Sequence, residues 1–212
     1  MSEEEEDTIK LILLGNSGVG KTSLIKSIMG VNPNKTEEST LSAYYLQKSF
    51  TLENKEYIVD LWDTAGQEAY LGVTKLFFKG SQIVVFVYDI TVENSFNDLN
   101  EWIKNVKEIV ENDYVCGIIG NKSDLFLKSQ VSNEKAKELA ESHGYKFKLA
   151  SAVNDPKSFE DMISELLQEY KLKFDNLDNL QHRRKSVRLD KGKVKDTKDT
   201  KDSKTTKGHG CC

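Results

Sequence analysis

Gly15-Asn16-Ser17-Gly18-Val19-Gly20-Lys21-Thr22 matches the spacing G-x-x-x-x-G-K-[ST]. It lies between two different periodicities. Residues 9–14 before it are a short, nearly continuous apolar run, the pattern of a strand covered on both faces. After it, Leu24, Ile25, Ile28 and Met29 fall on one face of a helix. A strand, a glycine-rich turn and a helix N-terminus in that order make a cradle for phosphate. The glycines let backbone N–H groups converge, and the helix dipole favours negative charge. Lys21 reaches β/γ oxygens and Thr22 can ligate Mg²⁺. By composition alone the four fixed positions arise in roughly 1 of 100 chains this long. The strand and helix around them carry the reading.

Outward from this loop, strand and helix patterns alternate from residue 8 to about 174. Residues 83–88 and 115–120 are further apolar runs, and residues 145–150 read as another strand. Phe96, Leu99, Ile103, Val106 and Val110 recur at helical steps, as do Phe159, Met162/Ile163, Leu166/Leu167 and Tyr170. Asp155-Pro156 supplies an N-cap and a first-turn proline for the last helix. Two strand-like stretches flank Glu53-Asn54-Lys55 too closely for a helical crossover, so they should pair antiparallel. The expected fold is α/β, a six-stranded mostly parallel sheet with one antiparallel strand and helices on both faces.

Two more segments follow predicted strands. Asp63-Thr64-Ala65-Gly66 is a D-x-x-G, which alone arises about once per chain of this length. Beside the phosphate loop it gains meaning: Asp63 can hold Mg²⁺ through water, and the Gly66 N–H can meet a γ-phosphate. Asn121-Lys122-Ser123-Asp124 follows the third apolar run. A carboxylate there can accept from the N1–H and exocyclic amine of guanine, which adenine does not offer. Ser151-Ala152, after the next strand, can close over the base edge.

These elements, in this order, resemble the G motifs of Ras-like small GTPases, and among them the Rab branch. The resemblance covers residues 8–174 and the terminal cysteine pair. Trp62 followed by Asp63-Thr64-Ala65-Gly66-Gln67-Glu68 looks like the opening of switch II, and Tyr88-Asp89-Ile90-Thr91 with Ser95-Phe96 is similar to the stretch after the fourth strand. Glu38-Ser39-Thr40 resembles switch I, Thr40 standing 18 positions after Thr22. The resemblance implies GTP or GDP held by Ser17, Gly18, Val19, Gly20, Lys21, Thr22, Ser23, Thr40, Gly66, Asn121, Lys122, Asp124, Ser151, Ala152 and Val153. It implies Mg²⁺ on Thr22, Thr40 and Asp63. Gln67 would orient the attacking water and Lys21 would stabilise charge, a slow GTPase needing a GAP. Tyr45, Trp62 and Phe77 match an aromatic triad that effectors read; ordinary core is the competing reading.

Three positions depart from the family pattern. Ser42 stands where glycine is common. Val153 replaces the lysine of Ser-Ala-Lys, leaving at most a backbone contact to the base. Pro33 occupies a position where an aromatic often stacks near the base. The last two imply a nucleotide held less firmly.

The ends are different in kind. Residues 1–7 are an acidic leader, unlike a signal peptide. Residues 182–212 carry 11 Lys/Arg against 4 Asp, an excess of +7, so a net charge of −4 leaves −11 on the rest. An acidic body argues against nucleic acid as partner, while the basic end suits anionic lipid. Past residue 174 helical periodicity fails, and a Lys-Asp-Thr repeat buries too little to offset its ordering entropy; residues 175–212 are expected to be a disordered basic tail. Of three cysteines, Cys116 reads as core, which with the rest suggests a reducing compartment. Cys211 and Cys212 resemble the doubly geranylgeranylated end of Rabs, and two lipids anchor where one does not. No run of about 18 apolar residues exists.

The resemblance implies an exchange factor, a GAP, effectors, a prenylation escort and a GDI-type chaperone. It implies the cytoplasmic face of an intracellular membrane, in exchange with cytosol. Two other classes compete: a nucleotide-locked scaffold without turnover, against which Gln67 argues, and a P-loop kinase. The kinase needs lid arginines, and residues 8–174 contain no Arg.

Overall fold

The computed structural model describes residues 8–31, 44–63, 78–110 and 114–192, with the side chains of 44 and 175–192 excluded. Six strands form one sheet in the order β2-β3-β1-β4-β5-β6. They are β1 (Thr8–Leu14), β2 (Tyr44–Leu52), β3 (Lys55–Asp63), β4 (Ile83–Asp89), β5 (Val115–Asn121) and β6 (Lys146–Leu149). The pairs β1–β3, β1–β4, β4–β5 and β5–β6 are parallel. Only β2–β3 is antiparallel, as the short connection dictates. Glu53 and Asn54 turn the hairpin with φ of 51° and 64°. Positive φ at both central residues is the turn whose twist matches that of paired strands.

All seven residues of β4 and of β5 are buried, which is why they read as unbroken apolar runs. Their alternation splits the core between two faces. Ile12, Val84, Phe86 and Ile118 pack with Phe96, Leu99, Trp102, Ile103 and Ala136, which come from α2 (Glu93–Asn97), α3 (Leu99–Ile109) and α4 (Asn133–His143). On the other face Gly117 lies against Met162 and Leu166 of α5 (Pro156–Gly192). A β-carbon at Gly117 would come within 3.0 Å of the Met162 sulfur, so the absence of a side chain lets α5 approach. Cys116 is a buried free thiol, pushed up to about 12 by burial, as suits a core residue.

One helical expectation needs correction. The apolar series from Phe96 to Val110 is not one helix: it breaks at Asp98, between α2 and α3, and Val110 is already extended. Periodicity cannot detect such a break, because the register of apolar positions continues across it. The chain divides into two compact units, Met1–Lys173 and Phe174–Cys212. The backbone is helical from Pro156 to Gly192, while the expected disordered tail over residues 175–212 extends beyond the described residues. No Gly or Pro occurs between residues 157 and 191, and i→i−4 hydrogen bonds require no apolar face to continue. α5 begins as its sequence predicts, with the Ser158 N–H donating to the Asp155 carboxylate at 3.2 Å.

Candidate functional site

In a parallel sheet the carboxyl ends of the strands share one edge, and ligands bind there where the strand order reverses. The reversal here is at β1, which has β3 on one side and β4 on the other. The Gly15–Thr22 loop leaves β1 at that point. Asp63 ends β3, Asn121 ends β5 and Ser151 follows β6.

The loop can pass between its neighbours only as glycine. A β-carbon on Gly15 would lie 2.0 Å from the Val87 carbonyl oxygen, and one on Gly20 would lie 2.3 Å from Nδ2 of Asn121. Gly20, at φ 95°, delivers the chain into α1 (Lys21–Ile28), whose first N–H groups border the loop. The Lys21 ammonium is folded back beneath the loop, donating to the carbonyls of Gly15 at 2.7 Å and Asn16 at 3.0 Å. Burial pulls its pKa down to about 8, against the opposing charge of Asp63. Thr22 Oγ1 donates to the Asp63 carboxylate, which is fully buried. A hydroxyl and a carboxylate side by side are hard oxygen donors and fit Mg²⁺, which takes few protein ligands and completes its shell with phosphate and water. Among the described residues no cluster of three His, Cys, Asp or Glu offers a separate metal cage.

The second half of the loop is held from β5. Asn121 donates through Nδ2 to the Val19 carbonyl at 2.8 Å. Lys122 donates to the Gly18 carbonyl at 2.8 Å and pairs with Asp89 at 2.6 Å. Lys122 takes the left-handed conformation, φ 62°, turning the chain into the 3-10 helix Ser123–Lys128. Such a conformation costs free energy outside glycine, and the two contacts of its ammonium offset it. Asp124 then lies beside the 151 loop: Ser151 Oγ donates to its carboxylate at 2.5 Å while accepting from the Asn154 N–H at 3.0 Å. The Ser123 N–H donates to the Ala150 carbonyl, also at 3.0 Å. Ser151 and Ala152 are buried, whereas Val153 is 48% exposed.

The Gly15–Thr22 loop before α1, the adjacent Thr22–Asp63 pair and the separate Asp124 carboxylate are thus on one sheet edge. The sequence profile of the Ras family matches residues 10–172. Rab-13 of Bos taurus is 34% identical over 170 residues, covering 79% of this chain and 84% of that protein. Rab-8B of Bos taurus is 38% identical over 152 residues, covering 72% and 73%. The GTP-binding protein ypt3 of Schizosaccharomyces pombe is 32% identical over 170 residues, covering 78% and 79%. The chain is a Rab small GTPase of the Ras family.

As such it hydrolyses GTP to GDP. Of the site residues expected for this Rab, the structure brings Ser17 to Ser23, Asp63, Asn121, Lys122, Asp124 and Ser151 to Val153 to one edge. Thr40, Gly66, Gln67, Phe77, Cys211 and Cys212 lie outside the described residues, as do Pro33 and Ser42. Two members of the aromatic triad are described. Tyr45 and Trp62 face each other across β2 and β3 with ring centroids 5.2 Å apart. Tyr45 is exposed and its hydroxyl donates to Asp60, whereas Trp62 packs partly into the core and carries the Lys10 ammonium 5.0 Å from its ring. Surface and core readings therefore divide between the two residues.

Asp89 was legible only as part of the Tyr88-Asp89-Ile90-Thr91 stretch. Its role is to anchor Lys122, with its other oxygen accepting from the Thr91 N–H and hydroxyl at 2.8 and 2.7 Å. The available signal was a carboxylate closing an otherwise apolar strand. Asn16 occupies a variable position of the loop motif and gave no signal at all.

Proposed function

We propose that this Rab GTPase is a membrane-anchored switch in vesicle trafficking, with residues 8–174 as its GTP-binding domain and 175–212 as its lipidated tail. The reading is carried by the placement of Lys21, Thr22 with Asp63, and Asp124 with Ser151 along one sheet edge. Phosphates would lie on the loop and α1, and guanine against Asp124. Thr22, Asp63 and Thr40 would hold Mg²⁺, which would supply positive charge against the phosphate oxygens. Lys21 would exchange its carbonyl partners for phosphate oxygens as the nucleotide enters. Gln67 would orient the water for in-line attack on the γ-phosphorus, and the γ-phosphate would order Thr40 and the segment after Gly66 into an effector surface with Tyr45, Trp62 and Phe77. Without an arginine in residues 8–174, a GAP would be needed for fast turnover.

Among the described residues no helix is long and apolar enough to cross a membrane. Attachment would rest on lipids at Cys211 and Cys212, assisted by the basic residues near Arg183, on the cytoplasmic face of an intracellular membrane. An exchange factor, effectors, a prenylation escort and a GDI-type chaperone complete the cycle. The deciding experiment is nucleotide analysis of the purified full-length chain. It should release bound GDP, convert GTP in a single turnover, and lose that conversion but not GTP binding in Gln67→Leu. Bound adenine nucleotide, or unchanged turnover in Gln67→Leu, overturns the assignment. In cells, replacing Cys211 and Cys212 by Ser should move the protein to the soluble fraction, and persistence on membranes after a salt wash overturns the anchoring.

A further inference from the structure

The phosphate loop is pinned along its second half by Asn121 and Lys122, which bond the carbonyls of Val19 and Gly18. Its first half is held by different elements, through a residue the nucleotide reading leaves without a role. Asn16 Nδ2 donates to the Asp98 carboxylate at 2.5 Å, and Asn16 Oδ1 accepts from the Trp102 indole N–H at 3.0 Å. Both partners belong to one turn of helix, because the Trp102 backbone N–H donates to the Asp98 carbonyl at 3.2 Å. That turn opens α3 at the break from α2. The orientation of the amide follows from chemistry: rotated by 180°, it would set NH₂ against the indole N–H and its oxygen against a carboxylate. Trp102 is buried in the core and does not move freely, so the clamp is referenced to the rigid part of the fold.

The consequence lies one atom group away. The backbone carbonyl of Asn16 is one of the two acceptors of the Lys21 ammonium. Fixing the side chain of Asn16 fixes the peptide that aims this carbonyl. Resting on the nucleotide reading of the loop, we propose that Asn16 is a positioning residue for the bound phosphates, clamped by Asp98 and Trp102 and coupling the loop to the first turn of α3. Asp98 is at the surface, so a partner gripping α2 and α3 would reach the phosphates through this clamp without touching the nucleotide.

The test exchanges the two polar groups. In the full-length chain, Asn16→Asp keeps an acceptor for Trp102 but sets two carboxylates together. GDP release, followed with a fluorescent analogue by stopped flow, should accelerate about tenfold. Adding Asp98→Asn restores a donor opposite the new carboxylate and should return release to within about twofold of the parent. Trp102→Phe keeps the ring's packing while removing one donor, and should accelerate release about threefold. Melting temperature is measured on every variant, since a purely structural role would lower it without rescue of release by the exchange. Release within twofold of the parent in Asn16→Asp, or no restoration in the exchanged pair, overturns the proposal. A parent that retains no guanine nucleotide overturns the nucleotide reading and this inference together, and so differs from either result.

Discussion

Ser151→Ala removes one hydroxyl that serves two ends of the base site. Ser151 is 1% exposed, and its Oγ donates to Asp124 at 2.5 Å while accepting from the Asn154 N–H at 3.0 Å. A hydrogen bond to a carboxylate contributes ~1.5–3 kcal/mol, and because Asp124 is partly exposed the lower end applies. The loss of that bond frees the carboxylate to rotate away from the guanine edge, and ~1.5 kcal/mol corresponds to roughly a tenfold rise in Kd for GDP. The Asn154 N–H loses its acceptor as well, a cost of ~1 kcal/mol to the fold and a fall of about 2–4 °C in Tm for a domain of this size. Titration of the nucleotide-free chain with GDP and with IDP, which lacks the exocyclic amine, separates the two effects. If Asp124 reads both donors of guanine, the preference for GDP over IDP shrinks in the variant. A GDP affinity unchanged within twofold, beside a lowered Tm, would confine Ser151 to the turn and refute its role in aiming Asp124.

Lys21 should make nucleotide binding weaken as pH becomes alkaline. Its pKa is about 8 in the folded chain against an ordinary 10.5, so between those values the unfolded chain binds more protons and the stability of the nucleotide-free fold rises with pH. A bound phosphate favours the ammonium, so GDP affinity should fall as pH climbs through the same window; Tm and Kd from pH 7 to 9.5, compared with Lys21→Met, check both slopes. Gly20→Ala puts a methyl 2.3 Å from Asn121 Nδ2 at a φ of 95°, so the loop or Asn121 must move, at a cost of at least ~2 kcal/mol; chemical denaturation and GDP retention should both register it. Val153 is half exposed, leaving room for a longer side chain, and Val153→Lys should slow GDP release by about threefold, equivalent to ~0.6 kcal/mol. Equal release rates would mean the missing lysine is compensated elsewhere.

What the sequence determined by itself was everything set by neighbours along the chain. The strand–loop–helix order around Gly15 to Thr22, the hairpin at Glu53-Asn54, the cap at Asp155 and the apolar runs of β4 and β5 rest on local geometry or on burial of both faces, and each is readable within a dozen residues. The expectation that Asp63, Asn121 and Asp124 are site residues came from motif spacing, because short segments at strand ends carry their own chemistry. Tertiary structure decided which of these segments meet, and through which atoms. Parallel strands bring their carboxyl ends to one edge, so residues from Asn16 to Ser151 become neighbours whatever their separation along the chain. The specific bonds there depend on register: Asn16 finds Asp98 and Trp102, Lys122 finds Asp89, and Ser151 finds Asp124. None of these pairs has a sequence period, since each joins side chains of different elements. The chain's pattern states which pieces can bind a nucleotide; only the packed sheet sets the distances at which they hold the loop.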